Sequence, residues 1–148
     1  QTGALKTALP AELFNATSQR EEIAVAVCGA HMQGLALNHQ LTERGARFMQ
    51  RTHTAPHYRF YALPGGPPQR PGLVRVDNNG AAIEVEVWNV PAENFGSFVA
   101  GIPAPLGIGK IELADGNKVS GFMCEAYAVK VALDITEMGG CRVFLRGK

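Results

Sequence analysis

The sequence predicts an α+β fold, a small, mixed, mainly antiparallel sheet curled into a partial barrel with about two helices on it. Three observations carry that expectation. The 148 residues include 17 glycines and 9 prolines, chain breakers that favour short strands and turns over long helices. Apolar and polar residues alternate in several short runs, as half-buried strands require. Two turn signals, Asp77-Asn78-Asn79-Gly80 and Ala114-Asp115-Gly116-Asn117, each lie between apolar runs in the pattern of a β-hairpin. A hydrophobic content of 46% beside 18% charged residues suffices for one compact core.

Taken in chain order, the stretch to about Ser18 carries Leu9, Leu13 and Phe14 in a short helical pattern. Ile23 to Cys28 reads as a buried central strand, followed by a glycine-bounded loop from Gly29 to Gly34. Leu37, Leu41 and Phe48 recur at roughly helical spacing and predict a helix over Asn38 to Gln50, which Gly45 weakens by about 1 kcal/mol relative to Ala. Tyr58, Phe60 and Ala62 alternate against Arg59, Tyr61 and Leu63, a strand over His57 to Leu63. It stops at Pro64 to Gly72, where four prolines and three glycines forbid regular structure. Leu73 to Val76 and Ala82 to Val90 flank the first hairpin signal. Pro91 suits the first turn of a helix whose apolar face, Phe95, Phe98, Val99 and Ile102, sits at i, i+3, i+4 and i+7, and Pro103 ends it. Gly109 to Leu113 and Lys118 to Cys124 flank the second hairpin signal. Strands over Tyr127 to Leu133 and Cys141 to Leu145, with a turn at Asp134 to Gly140 between them, complete the reading.

Fourteen Lys and Arg against thirteen Asp and Glu leave +1, too balanced for a duplex nucleic-acid binder that works by neutralising phosphates. No apolar run approaches the ~20 residues needed to cross a bilayer. The start, Gln1-Thr2-Gly3, lacks Met and a signal-peptide layout, so a piece of a longer chain is expected. Cys28, Cys124 and Cys141 are widely spaced without a C-x-x-C pair, which suggests buried small side chains in a reducing cytoplasm rather than disulfides or zinc. Asn15-Ala16-Thr17 matches a glycosylation sequon and reads as chance without a secretory context.

His31 is the first chemical candidate. It follows a buried strand in a loop whose glycines let backbone approach a ligand, and an imidazole there can exchange a proton near neutral pH. Glu84 and Glu86 share one strand face with Trp88, where burial and mutual repulsion would raise one carboxyl, whereas a solvated face would make them surface residues. Tyr58, Arg59 and Tyr61, beside the proline-rich loop, could bind an anion or serve packing. His39, His53 and His57 lack metal-ligand spacing, so no metal or cofactor is expected. There is no Gly-x-Ser-x-Gly elbow, phosphate-binding loop, His-Glu-x-x-His or dinucleotide fingerprint.

Three segments in order carry a family resemblance: Val27-Cys28-Gly29-Ala30-His31-Met32 with Leu35-Ala36-Leu37-Asn38 and Leu41; YRFYALPGGPPQRPG from Tyr58 to Gly72; and FVAGIPAPLGIG from Phe98 to Gly109, followed by Gly121-Phe122-Met123-Cys124-Glu125. They resemble the C-terminal domain of allophanate hydrolase over about residues 23–145. The resemblance implies residues 1–22 as an extension or linker and 23–148 as the domain, in a gamma-glutamyl cyclotransferase-like fold. The family's N-terminal amidase domain, with its Ser–Ser–Lys triad, has no counterpart here and becomes the implied partner on the same polypeptide. No acid occurs in Phe98 to Pro105, where the cyclotransferases' catalytic Glu would fall, so cyclotransferase activity is not expected.

The implied function is decarboxylation of N-carboxycarbamate to CO2 and ammonia in urea or cyanuric acid catabolism, with His31 as catalytic residue. Gly29, Ala30, Met32, Asn38, Tyr58, Arg59 and Glu86 are the expected contacts to a small carboxylate or carbamate. The alternative is a non-catalytic domain that oligomerises the enzyme, as a homodimer, or docks it to pathway enzymes.

Overall fold

The computed structural model describes residues 21–146. The helical pattern at Leu9, Leu13 and Phe14 and the Asn15 sequon lie outside the described residues. Strand β1 (Glu22–Val27) is central, because Val25, Ala26 and Val27 are all buried and both faces of the strand are covered. It pairs antiparallel with β5 (Glu84–Pro91), Val25 opposite Trp88, and parallel with β7 (Lys118–Cys124), Val25 opposite Ser120. With β2 (Arg47–His53) and β6 (Leu106–Glu112) the order is β2-β5-β1-β7-β6. A second sheet, β4-β3-β8, is built from β4 (Pro71–Arg75), β3 (Tyr58–Ala62) and β8 (Leu133–Asp134). The expected mainly antiparallel α+β architecture is present, and its expected curl is realised as two open sheets.

The Asp-Gly hairpin forms as read. Asp115 accepts the Asn117 N–H at 2.9 Å, Gly116 takes φ +91°, and β6 pairs with β7 from Leu106–Cys124 to Glu112–Lys118. The Asn-Gly signal does not make a hairpin. β4 pairs with β3 and β5 joins the other sheet, while Ala81 bridges to Tyr58. Gly80 serves close approach instead, since a Cβ there would fall 2.7 Å from the His57 carbonyl carbon.

The expected Asn38–Gln50 helix shortens to α1 (His39–Thr42), and Arg47 onward is strand. Gly45 takes φ +77° and the Ala46 N–H reaches back to the Leu41 carbonyl at 3.1 Å, a glycine C-cap that stops the helix where the apolar spacing alone would continue it. Helix α2 (Ala92–Ala100) follows Pro91 and buries Phe98, as its periodicity requires. The expected strand over Tyr127–Leu133 is helix α3 (Ala126–Val129) followed by β8, and the expected last strand is helix α4 (Cys141–Arg146) after a 3-10 turn at Thr136–Met138. Short apolar runs do not separate strand from helix by period. In α4 the buried pair, Cys141 and Phe144, is spaced i, i+3, with Val143 exposed between them. No helix among the described residues is long and apolar enough to cross a membrane.

Candidate functional site at His31

The loop after β1 is tied back on itself. Met32 N–H donates to the Gly29 carbonyl at 3.0 Å, Leu37 N–H to the Ala30 carbonyl at 2.8 Å, and Asn38 Nδ2 to the His31 carbonyl at 2.8 Å. Gly29 is required for passage, because a Cβ there would sit 2.6 Å from the Pro71 ring. The loop turns the His31 side chain inward until it is 5% exposed. Its ring packs at 4.9 Å against Phe122 and edge-on at 5.3 Å against Phe98. Nε2 lies 2.7 Å from Gln40 Oε1, which makes Nε2–H the donor and leaves Nδ1 for a ligand.

A cavity of about 20 Å³, room for about one water, lies beside this ring and is lined by Cys28, Gly29, Ala30, Arg70, Pro71 and Phe122 among others. Burial pushes the imidazole below its ordinary 6.5; the Gln40 bond opposes the shift, while the Arg70, His39 and Arg44 charges add to it. His31 is therefore a neutral imidazole near pH 7, with a guanidinium on the cavity wall and apolar surfaces around it. Such a pocket favours a small anion, whose charge would offset Arg70 and draw a proton onto His31.

Glu86 is buried but is no proton carrier. Burial acts to raise its carboxyl, yet the Gln33 N–H at 2.7 Å, Arg142 at 2.9 Å, the Trp88 indole N–H at 3.2 Å and Arg51 at 3.0 Å together hold it below the usual carboxylate range. The expected raised carboxyl in the Glu84/Glu86 pair is thus corrected for Glu86: opposite charges and donated hydrogen bonds outweigh desolvation. Glu84 is partly exposed and reaches Arg51 at 3.9 Å.

The remaining expected contacts divide. Gly29 and Ala30 line the cavity with His31. Asn38 holds the His31 carbonyl, and Met32 is fully buried in the core. Tyr58 and Arg59 are brought elsewhere. The Tyr58 hydroxyl accepts the Glu112 N–H at 2.9 Å, and Arg59 pairs with Asp134 at 2.6 Å on a separate cleft. The cation at the cavity is Arg70. Sequence reasoning missed it together with Gln40 and Phe122, although Arg70 is the one cation within the Pro64–Gly72 stretch. Cys28 and Cys141 are buried, their thiols pushed up to about 12 and about 11, chiefly by burial, and Cys124 is half-buried.

The fold is an α+β domain shared with an aig2-like protein from Mus musculus, at TM-score 0.51 and 17% identity over 73% of this chain and 79% of that one. The family model for the allophanate hydrolase C-terminal domain matches residues 23–146, and the chain belongs to that family. Urea amidolyase from Saccharomyces cerevisiae is 46% identical over 126 residues, which are 82% of this chain and 7% of that protein. Solved allophanate hydrolase from Kluyveromyces lactis matches with TM-score 0.82 and 39% identity, over 86% of this chain and 21% of that one. A uropathogenic E. coli-specific protein matches with TM-score 0.80 and 34% identity, over 86% of this chain and 98% of its own. In the yeast proteins the matched region is thus a small part of a longer polypeptide, whereas the E. coli chain consists almost wholly of it.

Proposed function

We propose that residues 23–148 form a domain that promotes loss of CO2 from N-carboxycarbamate, the product of allophanate hydrolysis by an amidase domain on the same cytoplasmic polypeptide, in urea or cyanuric acid catabolism. Residues 1–22 are an N-terminal extension or linker. One observation carries the reading: a buried, neutral His31 with Nδ1 available, facing a small cavity that also holds Arg70. The dianion enters as the cavity, which holds about one water when empty, widens at its mouth, and it brings a proton that settles on Nδ1. Arg70 binds the carboxylate that stays, and the other lies against the apolar wall. As the C–N bond breaks, its electron pair goes to nitrogen, which takes the His31 proton, and CO2 leaves. The carbamate so formed takes a second proton and divides into ammonia and CO2. Burial helps twice, because a desolvated imidazolium is the stronger acid and Gln40 keeps Nε2–H oriented.

The test is turnover in the longer enzyme. His31→Asn is expected to leave the first ammonia release intact and to slow CO2 release; unchanged CO2 release would remove His31 from the reaction. Because carbamates also lose CO2 unaided, the assay follows the early time course.

A second reading, a non-catalytic oligomerisation or docking domain, is favoured by an apolar groove of Leu63, Pro64, Pro105, Tyr127 and Val131, with Tyr127 60% and Val131 74% exposed. It requires that Val131→Glu change sedimentation or co-purification while CO2 release stays the same.

A further inference from the structure

We propose that Glu86 and Arg142 are positioning residues for His31, a role that rests on the reading of His31 as the proton donor. The juxtaposition that points to it is at Gln33, two residues beyond His31. Both backbone polar groups of Gln33 are taken by charged side chains: its N–H by Glu86 Oε1 at 2.7 Å and its carbonyl by Arg142 Nη2 at 2.5 Å. The same Arg142 nitrogen also reaches Glu86 Oε2 at 2.9 Å. The carboxylate and guanidinium therefore close a clasp around one residue of the loop, with a carboxylate that is 0% exposed as its fixed point.

Each part of the clasp stands on a different element. Glu86 comes from β5, where it is opposite Val27 at the end of β1, so its backbone is fixed where the loop begins. Arg142 comes from α4, 109 residues along the chain from Gln33. Arg51 from β2 binds Glu86 Oε2 at 3.0 Å and the Trp88 indole binds Oε1 at 3.2 Å, so the carboxylate has four donors and no freedom to turn. Arg142 Nε is buried with no partner among the described residues. The guanidinium is thus held in a pose that favours the Gln33 carbonyl and Glu86 over its own full hydrogen bonding.

Without the clasp, the loop would keep its own backbone ties and the Asn38 bond to the His31 carbonyl but lose its anchor to β5 and α4, and the Gln40 bond to the ring would be made only part of the time. The imidazole would then sample more than one orientation, solvation would rise, and both tautomers would appear. Neither Glu86 nor Arg142 lines the His31 cavity, which separates this role from direct contact with the reacting atoms.

The experiment is imidazole nitrogen NMR on the 148-residue chain, paired with early-time CO2 release by the longer enzyme carrying the same substitution. In the unmodified protein His31 is expected as a single Nε2–H tautomer titrating below 6.5. Arg142→Met leaves Arg51 to pair with Glu86, and is expected to give mixed tautomers, a titration moved up toward the ordinary value and a several-fold fall in kcat for CO2 release at little-changed KM. Glu86→Gln is expected to do the same where it folds. A folded Arg142→Met protein with the original tautomer, titration and kcat would overturn the proposal, even with a lowered melting temperature. The NMR readout is independent of turnover, so a His31 without catalytic effect and a clasp without positioning effect give different results.

Discussion

The molecule buries two ionisable side chains that serve the loop after β1, His31 within it and Glu86 on β5, and it treats them oppositely. Glu86 is kept charged and is saturated, with four donors on its two oxygens. His31 is kept neutral, has one side-chain partner for its ring, and borders a cavity. A saturated charge is a structural fixture, since any further ligand must displace a bond already made. An under-used nitrogen beside a void and a guanidinium has capacity left for chemistry. The contrast separates the site from its scaffold without reference to how conspicuous either residue is in the sequence.

The largest expected effect breaks the saturated side of the comparison. Glu86→Ala strands Arg142, Arg51, the Gln33 N–H and the Trp88 indole, and is expected to destabilise the fold by about 3–5 kcal/mol. Urea denaturation followed by the emission of Trp88, the chain's one tryptophan, would check this. A loss below about 1 kcal/mol would mean that the cluster is dispensable.

A smaller effect sharpens the contrast through pH. The His31 imidazole is held below its ordinary 6.5, so the unfolded chain binds the proton more readily than the folded one. Stability from this group is present above about pH 6.5 and is lost as pH falls below it. Glu86 also sits below its ordinary 4.5, and its contribution is lost only as pH falls below that value. Melting curves between pH 7.5 and 5.5 should therefore fall for the original protein and flatten for His31→Asn; parallel curves would contradict the neutral His31.

The smallest effect concerns a residue that the sequence favoured for anion binding. Arg59 is committed to Asp134 and the Asn79 carbonyl on the second sheet, away from the His31 cavity. Arg59→Ala is expected to leave CO2 release unchanged, measured beside Arg70→Ala, which should raise KM. The reverse pattern would reassign the anion contact.

Much of the fold was legible because its local signals were strong. The apolar run after Glu22, the Asp-Gly turn and the Phe95–Ile102 stripe each specify one element with residues close in sequence. The failures share a cause. At Asn79-Gly80 a hairpin signal was overridden by the pairing of β4 with β3, and in Cys141–Leu145 a short apolar run took the helical option when it packed on the core. His31 was legible from its glycine-bounded loop and its motif. Arg70, Gln40 and Arg142 were not, because distances to His31 and Gln33 are set by tertiary packing, which spacing in the chain does not encode. Glu86 was singled out together with Glu84, but their burial was left open between a packed and a solvated face, and the charge state depended on Arg51 and Arg142, 35 and 56 residues away.

The most direct test of the His31 pocket is the titration of its imidazole nitrogens in the 148-residue chain, with and without saturating malonate as a stable dicarboxylate. The expected result is a midpoint below 6.5 in the free protein that rises when malonate is bound, with the rise lost in Arg70→Ala. A His31 midpoint that malonate leaves unmoved would contradict an anion site that takes up its proton together with its ligand.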